Sequence, residues 1–139
     1  MELRNPLKRL GVAEVAGPSM SPTLADGDTV VVRYGAVVRP GAVVVLRHPI
    51  RAELLVIKRA VQQRPGGRWW VLGDNPYNET GDSTEYGAVP AELVLGRAYL
   101  RIRPRALDQR SLRARLAWTF SAVRPLRADA AASARLRSR

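Results

Sequence analysis

A serine hydroxyl becomes a useful nucleophile only with a base in hydrogen-bond reach. The candidate hydroxyl here is Ser19, in Gly17-Pro18-Ser19-Met20-Ser21-Pro22, directly after a strand-like run. A tight turn flanked by glycine and proline can expose a hydroxyl and aim backbone N–H groups at a developing oxyanion. An ordinary turn serine has the same local signature, so both readings stand at this level. The single histidine, His48, precedes Pro49 at the end of a strand and reads as a solvated turn residue rather than a base. With no second histidine and no cysteine, imidazole or thiolate metal sites have no support.

Lysine is the alternative base, provided its amine is neutral, and apolar burial favours the neutral form. In Leu54-Leu55-Val56-Ile57-Lys58-Arg59-Ala60, the two-residue period of a strand puts Lys58 on one face with Leu54, Val56 and Ala60. Only two of the 23 basic residues are lysines, Lys8 and Lys58. Arginine stays protonated and cannot serve as a base. A lysine among apolar neighbours, in a chain that otherwise writes arginine, points to a need for a deprotonable amine. A strand lysine snorkelling to water is the competing reading.

Strands must position these groups. Residues 12–16, 29–34, 42–48, 53–63, 68–72 and 93–102 are rich in β-branched and aromatic residues. Turn signals at Asp26-Gly27, Pro40-Gly41 and Pro65-Gly66-Gly67 separate several of them, the pattern of an antiparallel sheet. Residues 73–87 form a long polar loop of the kind that carries function. Beyond Pro104 the chain changes in kind. Leu107, Leu112, Leu116, Phe120 and Val123 have helical spacing, and residues 126–139 have the composition of a disordered tail.

The chain has 139 residues, 46% hydrophobic and 25% charged, which suits one globular domain. The formal charge is +11. Residues 101–139 hold eleven arginines against Asp108 and Asp129, so the basicity belongs mainly to the tail. Uncharged stretches fall well short of the roughly 18–20 apolar residues of a membrane span, and no targeting segment is expected.

Five motifs in order resemble the type I signal peptidases and their relatives. They are Ser19-Met20-Ser21-Pro22-Thr23-Leu24 with Gly27-Asp28-Thr29-Val30-Val31-Val32; Pro40-Gly41-Ala42-Val43-Val44 through Arg47; Lys58-Arg59; Gly73-Asp74-Asn75; and Asp82-Ser83 with Gly87-Ala88-Val89-Pro90. The resemblance implies a serine endopeptidase with a Ser19–Lys58 dyad and the Ser19 N–H in the oxyanion hole. Gly17 stands where some relatives carry a further hydroxyl donor. Thr80 stands near the place of a serine that orients the lysine in that family. Thr84 replaces the family's arginine after Asp-Ser, leaving Arg59 to neutralise Asp74 or Asp82; the competing reading for both acids is loop capping. Met20, with the 29–34 strand, is expected to shape a pocket for a small residue before the cut.

Within that family, Arg33-Tyr34-Gly35, residues 45–49, Gly73-Asp74-Asn75-Pro76-Tyr77 and Glu85-Tyr86-Gly87 look most like the nickel-type superoxide dismutase maturation proteases. That likeness implies removal of an N-terminal extension from the precursor of the nickel enzyme. The alternative is a general signal peptidase-like enzyme acting on exported preproteins at the membrane surface. The fold implied is mainly β, a partly open antiparallel barrel of the signal peptidase and self-cleaving repressor type, with a basic C-terminal helix or tail. The expected organisation is a catalytic domain over 1–104 and a basic tail over 105–139. No cofactor, metal or nucleic-acid partner is expected. The expected location is cytoplasmic, with the tail available to an inner membrane surface.

Overall fold

The computed structural model describes residues 9–77, 81–103 and 122–137. Seven strands build the fold: β1 (Leu10–Glu14), β2 (Thr29–Tyr34), β3 (Val43–Arg47), β4 (Leu55–Gln63), β5 (Trp69–Leu72), β6 (Val94–Ile102) and β7 (Val123–Pro125). Two short helices, α1 (Ser83–Tyr86) and α2 (Ala130–Arg137), accompany them. All strand pairings are antiparallel, in the order β1-β2-β6-β3-β4-β5, with β7 added to β6. Among the described residues no pairing joins β1 to β5, so the sheet stays open, as the mainly β, partly open expectation requires. The strand-like stretches anticipated from β-branched content all form, with β1 two residues earlier than 12–16.

The sheet has apolar clusters on both sides, and β3 explains why. Its four apolar residues, Val43 to Leu46, are all buried. Val43 and Val45 point into a cluster with Val15, Met20, Leu24, Val30, Val32 and Ala98. Val44 and Leu46 point the other way, to Ala60, Trp69, Val71 and Val89. Successive strand residues face opposite sides, so a strand covered on both reads as a continuous apolar run. Full burial of each such side chain stabilises by roughly 1.5–3 kcal/mol.

Two expectations about the tail need comment. The helix anticipated over 107–123 lies outside the described residues as far as 121, and Val123 itself opens β7. Residues 126–139 were anticipated as disordered; instead Ala130–Arg137 form α2, which packs on β4. Leu136 joins Val61 and Leu72, the buried Ser133 hydroxyl donates to the Val61 carbonyl, and Leu126 enters the first cluster. One leucine and a hydrogen-bonded serine dock this helix despite its polar composition.

Candidate active site

Ser19 lies in the turn that leaves β1. The Ser21 N–H donates to the Pro18 carbonyl (3.0 Å) and the Leu24 N–H to the Met20 carbonyl (2.9 Å), closing residues 18–24 into consecutive turns rather than a helix. The Ser21–Pro22 peptide is cis. Gly17 enters the turn with φ +80°, a conformation suited to glycine, and its N–H donates to Asp26 Oδ1 (2.8 Å). Met20 is the anchor, 1% exposed in the first apolar cluster. Among the described residues the Ser19 N–H has no acceptor.

A second loop holds this turn from the side. Asn75 donates twice, from its N–H to the Ser19 carbonyl (3.0 Å) and from Nδ2 to the Pro18 carbonyl (3.0 Å). Gly73 makes the approach possible: a Cβ there would lie 2.5 Å from the Ser19 carbonyl oxygen. Between them Asp74 accepts from Thr23 Oγ1 (2.6 Å) and from both Nε (2.8 Å) and Nη2 (2.7 Å) of Arg59. Arg59 also donates from Nη1 to the Gly41 carbonyl (2.6 Å). Of the two acids offered to Arg59 by sequence, the structure pairs it with Asp74.

The Arg59 and Asp74 side chains are only 5% and 9% exposed. Removing one partner from a buried pair leaves an uncompensated charge, whereas a matched apolar replacement of both avoids that penalty. Arg59→Met is therefore expected to destabilise the fold by about 3–5 kcal/mol, and Arg59→Met/Asp74→Leu by less. Urea unfolding of the single and double variants measures this; equal losses would remove the pair from the account.

Lys58 lies on β4 opposite Val44, on the face of the second apolar cluster, and is 3% exposed. Burial lowers its pKa from the ordinary 10.5, against the opposing fields of Asp82 and Glu85. Among the described residues no carboxylate forms an ion pair with it. Asp82 is a helix cap: its Oδ1 accepts from the Thr84 N–H (2.9 Å), so its carboxylate orients α1. Ser83 Oγ accepts from the Val71 N–H (2.8 Å), tying α1 to β5. Burial, followed by Asp82 and Glu85, raises the Tyr86 pKa, so its hydroxyl keeps the proton it donates to the Gly81 carbonyl (2.9 Å).

Ser19 and Lys58 line one cleft of about 590 Å³, with Gly17, Met20 and Glu85. Its apolar wall comes from Val15 and residues 54–57. The 29–34 strand contributes nothing to that wall, because Val30 and Val32 are fully buried beneath it. His48 lines the cleft as a turn residue, its Nδ1 accepting from the N–H groups of Ile50 (3.1 Å) and Arg51 (3.0 Å). Two unpaired backbone edges border the same space. Among the described residues, β1 pairs only with β2, and β5 pairs with β4 only from Arg59 onward, leaving residues 55–58 free on that side. An extended peptide can add to such edges as a strand.

The structure thus brings Gly17, Ser19, Met20 and Lys58 to one cleft and sets Arg59, Asp74 and Asp82 behind it as supports. Thr80 lies outside the described residues. Gly73, Asn75, Thr23 and Glu85 enter the sequence reading only as members of motifs, with no role of their own, because the contacts of Gly73, Asn75 and Thr23 and the field of Glu85 at Lys58 reach residues distant along the chain.

A family model described as Peptidase S24-like matches residues 3–88. Among curated proteins, mitochondrial ATP-independent inner membrane protease subunit 1a of Arabidopsis thaliana is 32% identical, over 68% of this chain and 71% of its own length. Mitochondrial inner membrane protease subunit 1 of Mus musculus is 29% identical, over 68% of this chain and 70% of its own. The Homo sapiens subunit 1 is also 29% identical, with the same coverage.

Proposed function

The chain belongs to the Peptidase S24-like family, and from that premise we propose that it is a serine endopeptidase in which Ser19 is the nucleophile and Lys58 its general base. The observation that carries the reading is a buried lysine with a lowered pKa in the same cleft as the turn serine. Neutral Nζ accepts the Oγ proton as Oγ bonds to the scissile carbonyl carbon. The Ser19 N–H stabilises the oxyanion. As the C–N bond breaks, Nζ passes its proton to the leaving amine. Water then adds to the acyl ester, with Nζ again taking a proton, and Ser19 is regenerated with release of a carboxylate.

The substrate in this reading is a precursor protein whose N-terminal extension lies extended between the free edges of β1 and β4. The motifs shared with the nickel-type superoxide dismutase maturation proteases favour the precursor of that enzyme. Cleavage there would free an α-amine that an amide nitrogen cannot replace as a metal ligand. Incubating the full chain with that precursor tests this: release of the mature N-terminus by wild type and not by Ser19→Ala is expected. Failure to cut it sinks the assignment.

The names of the relatives support a second reading, a signal peptidase-like enzyme at a membrane surface. No described helix is long and apolar enough to cross a membrane. Cleavage of a vesicle-bound preprotein in preference to the soluble precursor would favour this reading.

Glu85 provides a test of the base. It is exposed and raises the Lys58 pKa through space, while its Oε2 accepts from the Gly81 N–H (2.6 Å). Glu85→Gln keeps an acceptor and removes the charge. The acid limb of the kcat/KM profile should therefore move to lower pH, most visibly at low salt. An unmoved limb would mean that another group governs it.

A further inference from the structure

We propose that a second cleft, bounded by Arg9, Arg33, Arg39, Arg97 and Tyr99, binds a phosphate-bearing anion. The cleft encloses about 550 Å³, and among the described residues no carboxylate lines it. It shares no lining residue with the peptidase cleft. Leu10 pairs with Arg33, so it lies at the opposite end of β1 from Ser19.

Its charges are unbalanced. Arg59 has Asp74 and Arg103 has Asp28. None of the four cleft arginines has a described ion-pair partner. Arg33 and Arg97 are direct register partners on β2 and β6. Like charges opposite one another across an antiparallel pair are destabilising, so an anion between them would relieve a repulsion the fold otherwise carries. The Arg97 guanidinium is stacked on the Tyr99 ring, 4.7 Å from its centroid, which fixes its plane. Its Nε is buried with no described acceptor.

The oxygens of phosphate match several guanidinium forks at once, and its multiple charge suits four of them. Val37, on the rim, is 76% exposed. A soluble compound or the headgroup of an anionic phospholipid can supply such a phosphate, and the test separates these sources.

The full chain is titrated with inorganic pyrophosphate by calorimetry and co-sedimented with phosphatidylglycerol vesicles at several salt concentrations. Arg33→Gln/Arg97→Gln is compared with Arg68→Gln/Arg137→Gln, a charge-matched change at exposed positions outside the cleft. The proposal expects the cleft variant to lose about tenfold or more in affinity, the worth of a charge-assisted hydrogen bond, and the control variant to bind as wild type. Pyrophosphate binding with this dependence assigns a soluble source. Vesicle binding alone, with the same dependence, assigns a headgroup. Pyrophosphate should also raise Tm in wild type and not in Arg33→Gln/Arg97→Gln. Absence of both kinds of binding, equal loss in both variants, or equal affinity for a polyglutamate peptide overturns the proposal.

Discussion

Lys58→Met and Lys58→Arg are both expected to abolish peptide cleavage, as is Ser19→Ala, each by on the order of 10⁴–10⁶-fold in kcat. Arginine keeps the charge but cannot give up its proton, so its failure separates a base from a mere cation. The double variant Ser19→Ala/Lys58→Met should be scarcely worse than either single, because the two groups act as a unit. Retention of more than about a tenth of activity by Lys58→Arg would exclude the dyad.

Stability supplies the independent check. The folded state holds Lys58 at a pKa below that of the unfolded chain. Between the folded value and 10.5 the unfolded state binds the extra proton, so stability rises with pH through that window. Below the folded value the burial of a charged amine costs its full penalty. Lys58→Met should remove that slope and stabilise the fold at neutral pH, the opposite of its effect on activity. Wild type should likewise gain activity as pH rises through the folded value.

Gly73→Ala is the second large effect expected, a fall of about 10²-fold in kcat/KM, the scale of a misplacement near 1 Å. The added methyl would meet the Ser19 carbonyl oxygen at 2.5 Å, and that oxygen is backbone that cannot swing away. Either the turn moves or the 73–75 loop does, and both break the Asn75 bonds to Pro18 and Ser19. The variant should fold, with Arg59–Asp74 intact by amide shifts, and bind substrate near normally. Unchanged kcat would show that the loop only decorates the turn.

The division between what the sequence discloses and what it hides follows sequence distance. β2 and β4 declare themselves through local β-branched content, and β3 through an apolar run that a doubly covered strand requires. Lys58 stood out because its own strand neighbours are apolar and its residue type is rare here. The contacts of Gly73 and Asn75 with the Ser19 turn join loops far apart in sequence, and no local pattern encodes them. Either acid could have met Arg59; the three-dimensional path of the 73–75 loop, which also brings Asp74 to Thr23, decides for Asp74. Asp82 proved a helix cap, as its competing reading allowed. Composition misled at α2, where alanine, arginine and serine suggest disorder but Leu136 and Ser133 find partners on β4.

The place of β6 in the sheet has a consequence for how the enzyme comes into being. The hairpin β1-β2 carries the Ser19 turn, and the meander β3-β4-β5 carries Lys58. Among the described strands only β6, which follows all of these, is bonded to both β2 and β3. During synthesis each half can form from local pairings, but the ribosome must deliver β6 before the halves have a common seam. A nascent chain therefore holds its hydroxyl and its amine on separate, unregistered pieces until β6 has emerged to join them.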